Sequence, residues 1–333
     1  MTRRCNARSG EPALLGHSDP LSKFTRHRRL NHPISRALYK DSETIDVGKR
    51  IATCAEVLGV DLYDNDEQGI EARLRAMRPC GARLCPFCEW RRTRAWRRRL
   101  FNGLEAQAAS GEKRIPLFLT VTVPNPLLGD LRTCLKEMNA AWHRFTSSKA
   151  FPTDLWFRRT EVTVGAVQAL GPTFAHPHFH ALLLVKPSYF GKHYIKQDLW
   201  ADRWSAAMRA NQRLVVDIRR VKSVSDSNKN STIGSGEHSS ANKSAVLEVA
   251  KYMSKATQLL EFGDELPEFH RQIARVRLYG VSKGLRQYIK AGDITGAELL
   301  DDDAGLPDAR VPDARAIAMW FEDSSEYLIT DLV

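Results

Sequence analysis

Two histidines set two residues apart carry the first chemical signal, His178 and His180 in the run His176-Pro177-His178-Phe179-His180-Ala181-Leu182-Leu183-Leu184-Val185. Side chains alternate across a strand, so both imidazoles fall on one face and can chelate one divalent ion. The apolar run that follows is the pattern of a central strand buried on both faces. A His-x-His pair alone is weakly specific, and isolated pairs are often structural. Glu161, in the preceding run Arg159-Thr160-Glu161-Val162-Thr163-Val164, offers a third ligand. A carboxylate in a β-rich run is costly to bury unless it is paired or bound to metal. If the two strands form a hairpin, Glu161 faces the histidines; otherwise it is an edge-strand carboxylate partnered by Arg158 or Arg159. His176 shares their parity, but Pro177 interrupts regular pairing beside it, which makes it a supporting residue rather than a ligand.

The second signal is Tyr252. In Ala245–Leu260, plotted at about 100° per residue, Val246, Val249, Met253, Ala256 and Leu260 share one face. Glu248, Lys251, Tyr252 and Lys255 share the other. A core tyrosine would sit among the aliphatic residues. A surface tyrosine flanked by helix ion pairs fits the same pattern. As a nucleophile, a phenol of pKa about 10 needs help, and nearby lysines and a metal on the attacked phosphate would supply it. Glu248, one helical turn earlier, is placed to act on a nucleophile entering the same site.

Cys80-Gly81-Ala82-Arg83-Leu84-Cys85-Pro86-Phe87-Cys88 contains a Cys-x₂-Cys knuckle with a third cysteine five residues before it. Cys54 can complete a four-cysteine structural zinc site; buried or free thiols are the alternative. The basic run that follows, Arg91, Arg92, Arg94, Arg97, Arg98 and Arg99 with Trp96 among them and Trp90 just before, suits phosphate contact and base stacking. A solvated basic helix would look similar.

These residues need a scaffold. Candidate strands are Leu117–Val123, Phe157–Val167, His178–Val185 and Leu214–Arg219. Candidate helices are Leu131–Thr146, Ile195–Ala210 and Ala245–Leu260. Their order predicts an α+β fold, a largely antiparallel central sheet with helices packed on it. The domain division expected is a flexible basic segment over 1–45, a Cys-rich DNA-binding module over 46–110, the main domain over 111–290 with a mobile Ser/Asn/Gly-rich loop at 223–243, and an acidic segment over 291–333.

The 333-residue chain carries a formal charge of +11. Residues 291–333 hold eleven acidic and two basic residues, a net −9, which leaves about +20 on the rest. A body that basic points to a polyanionic partner. No apolar run is long enough to span a bilayer and the N-terminus has no apolar signal region, so a cytoplasmic protein with no membrane partner is expected by default.

With these residues together, the sequence resembles the plasmid rolling-circle replication initiators (Rep proteins) of the single-tyrosine type, within the HUH endonuclease superfamily named for its His–hydrophobe–His motif. The resemblance runs from about Cys54 to Tyr288. Its motifs match Phe118-Leu119-Thr120-Val121-Thr122-Val123-Pro124-Asn125, then His176 to Leu184, then Glu248-Val249-Ala250-Lys251-Tyr252-Met253-Ser254-Lys255. The upstream Cys-x₄-Cys-Pro-x-Cys-x-Trp-Arg-Arg pattern also looks like this family. The resemblance implies an HUH-like catalytic domain and attack by Tyr252 on a scissile phosphate, leaving a 3′-OH and a 5′-phosphotyrosine. It further implies Mg²⁺ or Mn²⁺ on His178 and His180 with Glu161 as third ligand, and Glu248 activating water at termination. Lys251 and Lys255 would steady the phosphate or phenolate. Plasmid origin DNA, host helicase and host polymerase are the implied partners. Two other readings stay open: a related HUH relaxase or transposase, and a non-catalytic zinc-finger DNA-binding regulator, which leaves the histidine strand and Tyr252 unexplained.

Overall fold

A computed structural model describes residues 19–65, 69–165, 173–221, 242, 244–247, 256–291 and 310–332. The fold is α+β, with two antiparallel sheets. The larger sheet has strand order β6-β3-β5-β4-β7, formed by β3 (Ile115–Thr122), β4 (Trp156–Val164), β5 (Ala175–Val185), β6 (Val216–Arg220) and β7 (Tyr279–Val281). The smaller has order β2-β1-β8-β9, formed by β1 (Val57–Asp64), β2 (Ile70–Met77), β8 (Ala314–Phe321) and β9 (Glu326–Leu332).

The histidine strand β5 is the centre of the larger sheet, and all of it except His176 is buried. Alternation sends Phe179, Ala181 and Leu183 to one side. There α5 (Leu131–Ser147) and α6 (Gln197–Met208) cover them, with the Trp142 and Trp204 rings 5.9 and 6.3 Å from Phe179. The buried stripe of α5 (Leu131, Leu135, Met138, Trp142 and Phe145) repeats every three or four residues, as an amphipathic helix requires. The opposite face carries His178, His180, Leu182 and Leu184. Its apolar end packs with Phe118 and Phe157 under Leu100 and Leu104 of α4 (Pro86–Ala109) and Leu285 and Ile289 of α8 (Lys283–Ala291). Helix α4 therefore starts at the cysteine knuckle and ends on the histidine face. Gly103 permits that closeness, since a Cβ there would lie 2.8 Å from Ile289 Cγ1.

The expectation of a flexible segment over 1–45 is corrected from residue 19 onward. Helices α1 (Ser22–Arg29), α2 (Asn31–Leu38) and α3 (Ile45–Ala52) bury Phe24, Ile34, Leu38 and Ile51 completely. The C-terminal stretch is likewise more than an acidic segment, because β8 pairs with β1 from Val57↔Met319 to Leu62↔Ala314. Buried Tyr327 donates a hydrogen bond to the carbonyl of Ala55, tying β9 to the residue after Cys54. The loop expected at 223–243 lies outside the described residues apart from Asn242, which donates to Glu105 Oε1 at 2.9 Å.

Candidate metal centre and cysteine site

Register brings the predicted ligands together. In the β4–β5 ladder Glu161 stands directly opposite His178, and Arg159 opposite His180. Both imidazoles present Nε2 to Glu161 Oε2, at 2.7 and 2.8 Å. All three residues are buried, and their ligand atoms lie within 4.8 Å of one another. Arg158 and Arg159 are not the partners of Glu161. Arg159 gives Nη2 to Glu89 Oε1 at 2.8 Å. Arg158 points to the other face, where it donates to Asn139 Oδ1 at 2.6 Å and lies 3.7 Å from the Phe179 ring centre.

Two imidazole nitrogens and one carboxylate oxygen converging in a buried pocket make a donor set suited to a divalent ion. Burial pushes the Glu161 carboxyl up, but hydrogen bonds from His178 and His180 outweigh it and hold the group well below the usual carboxylate range. His178 Nδ1 is buried with no hydrogen-bond partner among the described residues. Thr120 Oγ1 lies 3.1 Å from His180 Nδ1 and turns Nε2 toward the carboxylate. The sequence reading missed Thr120. Its signal was a threonine, one of two with Thr122 in a strand of otherwise apolar residues, at the position that pairs with His180. His176 is outside this group of ligands; its Nδ1 meets Asn125 Oδ1.

The four cysteines also assemble. Cys54, Cys80, Cys85 and Cys88 place their Sγ atoms within 4.8 Å of one another, with Cys54–Cys88 at 3.6 Å and Cys80–Cys88 at 3.7 Å. A tetrahedron with Zn–S bonds of about 2.3 Å has edges of about 3.8 Å, so the spacing fits zinc. Cys85 caps α4, its Sγ accepting from the Cys88 amide. Hydrogen bonds from Cys54, Cys80 and Cys85 hold the Cys88 thiol far below its ordinary value, favouring the thiolate a metal needs. Asn31, another residue missed from sequence, binds the carbonyls of Ile51 and Cys54 through Nδ2 and accepts from Cys85 Sγ.

In the arginine helix Trp96 is half-buried and stacks on Tyr279 at 5.3 Å and 14°, with Phe157 5.3 Å away. Trp90 is buried between Phe24, Phe87 and His27. Arg92 braces the knuckle by donating to the carbonyls of Ala82 and Arg83. Arg91, Arg94, Arg97, Arg98 and Arg99 are half-buried. A 24-residue helix must pack one side, and the aromatic residues take it.

The predicted catalytic residues Glu248, Lys251, Tyr252 and Lys255 lie outside the described residues. Their flanks do not. Ala245 and Val246 are buried in the apolar cluster on the histidine face. Gln258 and Leu259, from α7 (Ala256–Leu259), line a cavity with Glu161.

Residues 71–328 match the family of replication proteins designated Rep_1. The chain belongs to this family. Relatives named Protein rep include one from Bacillus amyloliquefaciens, 28% identical over 84% of each chain. Another, from Lentilactobacillus hilgardii, is 28% identical over 91% of this chain and 94% of its own length. A third, from Streptococcus pneumoniae, is 28% identical over 84% of this chain. No solved structure matches the chain significantly. Membership bears out the resemblance to rolling-circle replication initiators drawn from the motifs. No helix among the described residues is long and apolar enough to cross a membrane.

Proposed function

We propose that this replication protein starts plasmid rolling-circle replication by nicking one strand of the origin with Tyr252. The observation that carries the reading is the Glu161–His178–His180 convergence on a sheet face whose neighbours include both flanks of the Tyr252 segment. Mg²⁺ or Mn²⁺ held by these three residues would polarise the phosphate under attack. Tyr252 Oη bonds to phosphorus, the phosphorus–O3′ bond breaks, the phenolic proton is released and the departing 3′ oxygen takes up a proton. The 5′ end stays on the tyrosine, and the 3′-OH is left for host polymerase behind a host helicase. Lys251 and Lys255 favour the phenolate, and Glu248 deprotonates water when the cycle ends.

Zinc on Cys54, Cys80, Cys85 and Cys88 fixes the start of α4, whose remaining half-buried arginines contact origin phosphates. A DNA-binding regulator without catalysis would account for the cysteines and arginines but not for a buried carboxylate shared by two imidazoles. The test is cleavage of single-stranded origin DNA in Mn²⁺ by a double variant, His178→Ala with His180→Ala. Cleavage should be lost while duplex origin binding persists; cleavage at the wild-type rate would refute the metal-assisted nick.

A further inference from the structure

We propose that the cavity beside Glu161 receives one nucleobase of the single strand, next to the phosphate being cut, and that Arg159 reads it. This rests on the single-strand nicking reading above and adds to it a base-binding site. The cavity is about 470 Å³, within the size range of small-ligand pockets. Its walls come from the cysteine knuckle, from β4 at Arg159–Val162, from α7 and from the segment leading into β7. Glu161 belongs to that wall, so an occupant lies beside the metal centre. Leu84, Val162, Leu259 and Phe269 make much of the lining apolar, as the faces of a base require.

Arg159 is the polar anchor. Its side chain is only 11% exposed. Nη2 is taken by Glu89, while Nε and Nη1 are buried with no hydrogen-bond partner among the described residues. Leaving such donors unsatisfied is costly, and a base edge supplies acceptors. Each of these donors takes one acceptor, such as a base carbonyl oxygen or ring nitrogen. The Arg159 guanidinium also sits 4.5 Å over the Tyr279 ring, which stacks in turn on Trp96. This column of three ends at the cavity and fixes the plane of the guanidinium, so that its open donors meet a base edge-on. Arg277, exposed at the rim, is placed for the adjoining phosphate. Glu89 follows Cys88 directly and accepts from Arg159, Arg92 and Tyr279, so the base reader is tied to the cysteine site.

The test uses the zinc-loaded full chain in buffer free of Mg²⁺ and Mn²⁺ and without a chelator, so that no cleavage intervenes. The probe is a short single strand spanning the nick region of the plasmid's own origin, with an abasic site moved along it one nucleotide at a time. One position, within two nucleotides of the scissile phosphate, should weaken binding about ten-fold or more. In Arg159→Gln the intact strand should bind more weakly, and the abasic penalty at that position should disappear. The surface variant Arg277→Ala, which leaves the packed column alone, should lower the salt dependence of binding by about one phosphate contact. A scan without a sensitive position, or a penalty of equal size in Arg159→Gln, would overturn the pocket. Cleavage of the intact strand in Mn²⁺ is scored separately. In the wild-type chain, binding with no base dependence but with cleavage intact sinks the pocket alone, and base dependence without cleavage sinks the nicking reading instead.

Discussion

Replacing Thr120 by valine should weaken the metal centre without touching a ligand. His180 Nδ1 lies 3.1 Å from Thr120 Oγ1, and that contact fixes which ring nitrogen faces Glu161. Valine has nearly the same shape and an equal preference for strands, so β3 should keep its register. Phe118 stacks on the His180 ring at 5.6 Å and 18°, which holds the imidazole in place when the hydroxyl is gone. What changes is the basicity and aim of Nε2. Loss of such a supporting partner costs about 10- to 100-fold in metal affinity, or about 1.4–2.7 kcal/mol. The assay is calorimetric titration of the purified chain with Mn²⁺, beside thermal unfolding of the apo form. Thr120→Val should show the loss in affinity with an unchanged unfolding midpoint, and Thr120→Ser should restore binding. Mn²⁺ affinity within two-fold of wild type in Thr120→Val would show that the hydroxyl does not orient the ligand.

Two further outcomes follow from the N-terminal half. Cys88→Ser should abolish the roughly one equivalent of tightly bound zinc expected by elemental analysis and lower the unfolding temperature sharply, because Cys54, Cys85 and Cys88 sit inside the main core. A metal-free wild-type chain of equal stability would count against a zinc site. Burial beside Trp90, with Arg26 and Arg94 near, lowers His27 from 6.5 to about 4. The folded state therefore favours the neutral ring. The stability this linkage permits is whole above pH 6.5 and drains as pH falls toward 4, by up to about 3 kcal/mol. His27→Phe keeps the stack and should flatten that fall in denaturant titrations; an undiminished pH slope would mean His27 is not its source.

The catalytic sheet was legible because its signals are local. β3, β5 and the helix α5 lie within a few residues of the spans expected, and the hairpin on which the facing of Glu161 and the histidines was conditional is formed, with Glu161 opposite His178. Cys54 was legible as a candidate fourth cysteine, although it lies 26 positions before Cys80. The N-terminal helices were not legible. Their apolar residues, Phe24, Ile34 and Leu38, are few and sit among arginines and histidines that suggest a solvated segment. The smaller sheet was hidden for another reason: Val57 pairs with Met319 across most of the chain, and nothing local announces such a partner. The stack of Trp96 on Tyr279 was hidden in the same way, because its partner lies far along the sequence.

Tyr252 is the proposed nucleophile. The full chain should be incubated with Mn²⁺ and a labelled single strand carrying the origin nick site, then digested and mapped by mass spectrometry. The predicted result is a nucleotide adduct on the peptide containing Tyr252, absent from Tyr252→Phe, with the label on the strand downstream of the nick. An adduct on another residue, or full cleavage by Tyr252→Phe, would contradict it.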